Sequence, residues 1–276
     1  MAVPPVIVSP TEGGTMAVTS FEAPETDIRK LYQFLRDYPR SSMHLEIAET
    51  ISKKPAKLAE MLERSREQCA GYSNSEESFH QGRGKGGIQF TEARLASDRL
   101  ANRVLVSLSS HGDAASFPFA FVDYEIRPFR VSRRMAKQGS ASKEGQIDIL
   151  MRSPRGAPVI GEIKAKNDAT LLLALVQSLA SAVEFASPAQ RKRLAKAYGN
   201  VGIQEDGTGV EVCLIQSSPP KDERSRRIAK AVGRISARLM SEPASQEVIG
   251  RIACVDVTPD RSEPFRWEKM FDYQAK

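Results

Sequence analysis

Two short apolar runs, each interrupted by charge, constrain this chain more than any other feature. The first is Gly145-Gln146-Ile147-Asp148-Ile149-Leu150. The second is Val159-Ile160-Gly161-Glu162-Ile163-Lys164. Both are short, β-branched and apolar enough to predict buried strands. Between them lies Ser153-Pro154-Arg155-Gly156, a turn signal that predicts a hairpin. A hairpin through that turn brings Asp148 beside Glu162. The period of 2 along a strand puts Glu162 and Lys164 on one face. Two carboxylates in a half-buried sheet repel and desolvate each other, and they demand a compensating cation, either a metal or a lysine.

A hard divalent cation answers that demand, since Mg²⁺ prefers oxygen ligands and keeps several waters. Such an ion polarises a phosphoryl oxygen and activates water for attack. Lys164 is placed to hold that water or to neutralise charge developing on a phosphate. A structural salt bridge among Asp148, Glu162 and Lys164 is the alternative reading of the same residues.

The surrounding pattern is α/β. A strand is expected over 119–129, followed by strands at 146–151 and 158–164. A strongly apolar helix spans 170–185, and a strand 210–216. A basic amphipathic helix covers 222–240, and a strand 248–257 follows. Thr91 is a candidate cap for a helix reaching Ser109. Residues 27–72 carry helical spacing, with Ile28, Leu31, Tyr32 and Leu35 at i, i+3, i+4 and i+7. The part from Ile47 to Leu62 has helix-turn-helix-like spacing but nothing diagnostic, so a helical hairpin packed on the main domain is expected. The expected organisation is a disordered tail at 1–26, a helical region at 27–72, a Gly/Ser-rich linker at 73–87 and one domain from 88 to 276. The linker holds a bare GxGxxG string, Gly82 to Gly87. No strand pattern precedes it, so a dinucleotide site is not supported.

From Asp148 and the Glu162-Ile163-Lys164 triplet, the stretch 90–216 resembles the PD-(D/E)XK nuclease superfamily, the restriction-endonuclease-like fold. The order is helix, strand, strand with Asp, strand with E-x-K, helix, strand. The Pro that names the motif is absent. The resemblance implies a mixed sheet flanked by helices, with Asp148, Glu162 and the Ile163 carbonyl as Mg²⁺ ligands (Mn²⁺ as a substitute) and Lys164 as the catalytic lysine. It implies an acidic residue on the first helix, with Glu92 in the matching position and Asp98 as competitor. Gln177 lies where some members carry a Gln, but the Tyr that follows it in them is Ser181 here. The expected activity is a metal-dependent DNA nuclease. The alternative is a catalytically inactive nuclease-fold module that binds DNA or protein.

Charge is distributed to suit a nucleic acid. Forty Lys and Arg against 34 Asp and Glu give +6 and a pI near 9.2. The first 26 residues hold three of the acids and no base, so the rest of the chain carries 40 basic against 31 acidic residues. Arg127, Arg130, Arg133, Arg134, Lys137 and Lys143 follow one another with no acid between 126 and 143. Arg130, Arg133, Arg134, Lys137 and Lys166 are the candidate DNA contacts. Further basic sets lie at Arg191, Lys192, Arg193 and Lys196, and at Arg227, Lys230, Arg234 and Arg238. The three Cys are few, odd in number and without a CxxC pair. A disulfide framework or structural zinc is therefore not expected, and a reducing cytoplasm is. No run of ~18 apolar residues predicts a membrane span. A homodimer, or a protein partner docking on 27–72, is a further expectation.

Overall fold

The computed structural model describes residues 27–38, 41–70, 117–126, 147–164, 170–205, 209–217, 222–258 and 266–275. The first 26 residues and the 73–87 linker lie outside them, as does the helix expected at 91–109. Three N-terminal helices come first: α1 (Ile28–Asp37), α2 (Ser41–Lys53) and α3 (Pro55–Ala70). Three strands follow: β1 (Ala120–Ile126), β2 (Ile147–Arg152) and β3 (Pro158–Lys164). After them come α4 (Leu171–Phe185), α5 (Pro188–Tyr198), β4 (Val210–Ser217) and α6 (Glu223–Leu239). A short α7 (Pro243–Gln246), β5 (Ile249–Thr258) and β6 (Arg266–Gln274) complete the order.

The strands form one six-stranded mixed sheet in chain order. β1, β2 and β3 are an antiparallel meander, β4 and β5 run parallel to β3, and β6 returns antiparallel. The α/β architecture read from the sequence is therefore present. The helices between β3 and β4 and between β4 and β5 supply the crossovers that parallel pairs require. The β2–β3 turn forms as its residues dictate. Pro154 occupies the turn, Gly156 N–H donates to Ser153 O at 2.9 Å, and Gly156 has φ +79°. That conformation suits glycine, and a Cβ there would meet Gln204 at 2.8 Å.

Alternation along the strands divides the buried residues by face. Leu150, Ile160, Val212, Leu214, Ile252 and Cys254 join the cluster formed with the helices. Ile149, Met151, Val159, Ile163, Cys213, Ile215 and Val255 form the other face with Phe119. The N-terminal helices belong to the first cluster: Ile28, Leu31, Leu35, Ile47, Leu58 and Leu62 are buried in the same core as α4 and α6. α2 and α3, joined through Lys54, thus pack on the body of the molecule.

His44 of α2 ties these helices to α4. Its Nε2–H faces the carbonyls of Leu35 and Tyr38 at 3.0 Å, so Nδ1 accepts from the Thr170 hydroxyl at 2.5 Å. Thr170 is the N-cap of α4, accepting from Leu173 N–H at 3.4 Å. Burial lowers the His44 pKa and keeps the ring neutral, as this arrangement needs. At the start of β4 and β5, on the second face, Arg251 grips Asp272 with two bonds of 2.7 Å. Its other nitrogen lies 3.7 Å from Glu211, and its guanidinium lies 4.7 Å from the Phe119 ring centroid. Among the described residues no single helix is long and apolar enough to cross a membrane.

Candidate functional site

Asp148, Glu162 and Lys164 meet where β2 and β3 part. The β2–β3 ladder runs from Arg152↔Pro158 to Ile149↔Gly161. One step further, in the same register, Asp148 stands opposite Glu162. There the Ile163 N–H donates to Asp148 Oδ2 at 2.8 Å. A side-chain carboxylate has taken the place of a ladder carbonyl. A strand residue directs its N–H and C=O to the same neighbour, so the Ile163 carbonyl is directed to the Asp148 side.

Asp148, Glu162 and Lys164 share the parity of Leu150 and Ile160, and so they lie on the helix-covered face. α4 covers that face, and Glu162 is 1% exposed. Lys164 Nζ lies 2.5 Å from Glu162 Oε1 and donates to Gln177 Oε1 at 3.3 Å. Gln177 is the one residue of α4 that is not buried. Its placement comes from the helix phase, which turns it to the end of β3 while Leu175 and Leu179 enter the core. Gly161 allows the close approach behind the site. A Cβ there would stand 2.2 Å from Ile149 Cγ2 and 2.8 Å from Met151 Cε.

Electrostatically the cluster is one cation short. Burial and then the neighbouring Asp148 carboxylate push the Glu162 pKa up to about 8, with Lys164 opposing. Burial alone would lower the Lys164 pKa, but the two carboxylates outweigh it and the ammonium stays charged. Tyr32 of α1 is near enough to Lys164 to raise its pKa as well, so α1 comes close to the site. Hydropathy could not reveal this, because Tyr32 falls on the apolar stripe of α1.

The donor set fits a hard divalent ion. Asp148, Glu162 and the Ile163 carbonyl offer oxygen only, around an excess of negative charge. Among the described residues no group of three His, Cys, Asp or Glu is close enough to hold a metal, so an ion there would have to be held by two carboxylates and a backbone oxygen. Four expected residues, Asp148, Glu162, Lys164 and Gln177, are brought together. Glu92 and its competitor Asp98 lie outside the described residues, as do Arg130, Arg133, Arg134, Lys137 and Lys166. Of the second basic set, Arg193 is buried, which removes it from any surface role, whereas Lys192 and Lys196 are exposed. Cys69, Cys213 and Cys254 are buried and form no disulfide.

Comparisons with known protein families, with curated proteins and with solved structures find no match.

Proposed function

We propose that this chain is a metal-dependent DNA nuclease of restriction-endonuclease-like fold. The observation that carries the reading is the meeting of Asp148, Glu162 and Lys164 at the end of β3, with Gln177 on the lysine. The strand order supports it, since a meander carrying Asp and then E-x-K, a helix and a parallel strand follow one another as that resemblance expects. Asp148, Glu162 and the Ile163 carbonyl would hold Mg²⁺. The ion, when bound, supplies Lewis acidity toward a phosphoryl oxygen and lowers the pKa of water. The protein's own groups do the remaining work. Gln177 orients Lys164, and Lys164 holds the attacking water or neutralises charge that grows on the phosphate.

The test is incubation of purified protein with supercoiled plasmid and linear DNA in Mg²⁺, Mn²⁺ or EDTA, beside Glu162→Ala and Lys164→Ala. Cleavage is expected only with metal and is expected to fall at least ~100-fold in both variants. One observation favours a second reading: the lysine already neutralises Glu162 at 2.5 Å, as in a structural ion pair. A catalytically inactive module that binds DNA or protein follows from that reading. Salt-sensitive DNA binding without cleavage by the unaltered protein would decide for the DNA-binding form.

A further inference from the structure

We propose that the outer face of α6 is a nucleic-acid backbone track, formed by Lys230, Arg234 and Arg238 and separate from the carboxylate site. One side of α6 is core: Ile228, Ala231, Val232, Ile235 and Leu239 are buried. The opposite side carries Arg224, Arg226, Arg227, Lys230, Arg234 and Arg238, all exposed. Arg226 pairs with Glu223 at 3.2 Å and Arg227 with Glu49 at 2.6 Å. Lys230, Arg234 and Arg238 continue the row at steps of four, and α6 has no acid after Glu223. Like charges at i, i+4 destabilise a helix. A row that opposes its own helix in this way gains when a polyanion neutralises it.

The geometry selects the polyanion. The three cations span roughly 12 Å along the helix, at 1.5 Å per residue. That length covers about three or four phosphates of one strand, at 3.4 Å each. A membrane-surface helix would present apolar side chains beside its cations, and here the large apolar residues of α6 all face inward. β4 ends beside β3, where Lys164 pairs with Gln216. α6 follows β4, so the helix begins at the same end of the sheet as Asp148, Glu162 and Lys164, and the track, from its eighth residue onward, leads away from them. The inference rests on the proposed nuclease only for the purpose of the track; the binding itself stands alone.

The experiment measures binding without cleavage. Fluorescence anisotropy is recorded in EDTA with a labelled 20-base-pair duplex and with its single strand, over a salt series. The proteins are the full chain and the triple variant Lys230→Ala, Arg234→Ala, Arg238→Ala, whose exposed substitutions leave the core untouched. For the triple variant the slope of log K against log salt should become shallower by about 2.7 on duplex, or about 2.1 on single strand. Affinity should fall at least tenfold at low salt. The arm that loses more identifies the form of nucleic acid the track reads. Equal slopes and affinities within twofold for the full chain and the triple variant would overturn the track, as would no binding by the full chain. Binding that depends on the stripe in a protein that never cleaves DNA would uphold the track and sink the nuclease.

Discussion

Two charge clusters lie buried on the same sheet, at opposite ends and on opposite faces, and they obey different rules. In the Arg251 cluster the guanidinium makes two 2.7 Å bonds to Asp272, and those bonds hold the Asp272 pKa below its ordinary value. Asp272 in turn raises the Arg251 pKa. The pair is matched in charge and in shape. Glu211, 3.7 Å away, is the looser member, and burial raises its pKa. At the other end, two carboxylates share one lysine, and the Glu162 pKa rises to about 8. A fork gripping a carboxylate is architecture. A pair of carboxylates short of a cation favours the protonated form of one of them, and it is the place where the proposed metal would sit.

Removing the cation from each cluster gives the largest contrast. Arg251→Met leaves Asp272 with only the looser Lys269, 3.7 Å away, and is expected to cost about 3 kcal/mol. Lys164→Met is expected to cost no more than ~1 kcal/mol at pH 6, because Glu162 then keeps its proton. Denaturant titration of both variants at pH 6 measures this, and equal losses would erase the distinction. A smaller effect is expected from Gly161→Ala, whose new Cβ meets Ile149 Cγ2 on the face away from the carboxylates. Overpacking there should cost about 1–3 kcal/mol and weaken the proposed metal-dependent cleavage with it. An unfolding midpoint equal to that of the unaltered chain would show that β2 and β3 separate freely behind the site.

The finest contrast is in pH. Glu162 holds its proton more tightly when folded, so its contribution is present below its ordinary value of 4.5 and declines as pH rises toward about 8. Asp272 is shifted the other way. Its contribution is present above its ordinary value of 3.8 and is lost as pH falls through its depressed pKa. Melting curves from pH 3 to 9, at roughly 2–4 °C per kcal/mol, should lose the first decline in Glu162→Gln and the second in Asp272→Asn. A single variant that removed both would refute the separation of the clusters.

Much of this was legible because it is local. The turn at 153–156 alone brings Asp148 to Glu162, and the period of 2 alone aligns Glu162 with Lys164. Five of the six strands and the helices α4 and α6 follow from apolar pattern and caps, with Thr170 and Asp222 as N-caps. α5 was hidden by its own charge, although Pro188 after Ser187 marks its start. β6 is an edge strand whose aromatic and charged residues alternate too irregularly to announce it. The Arg251–Asp272 grip and the His44–Thr170 bond join distant segments, and no spacing along the chain encodes them. Of the candidate site, the strand residues were visible, whereas the approach of Tyr32 was not.

The His44–Thr170 bond also sets a timetable. Its partners are 126 residues apart. At a synthesis rate of 5–20 residues per second, α2 waits roughly 6–25 s after it is made before Thr170 exists. Arg227, the partner of Glu49 on α2, comes later still. Through that interval the apolar stripe of Ile28, Leu31 and Leu35 has no α4 to cover it. The first helices of the chain are thus among the last to be locked, and the nascent protein presents them to whatever binds apolar segments at the ribosome.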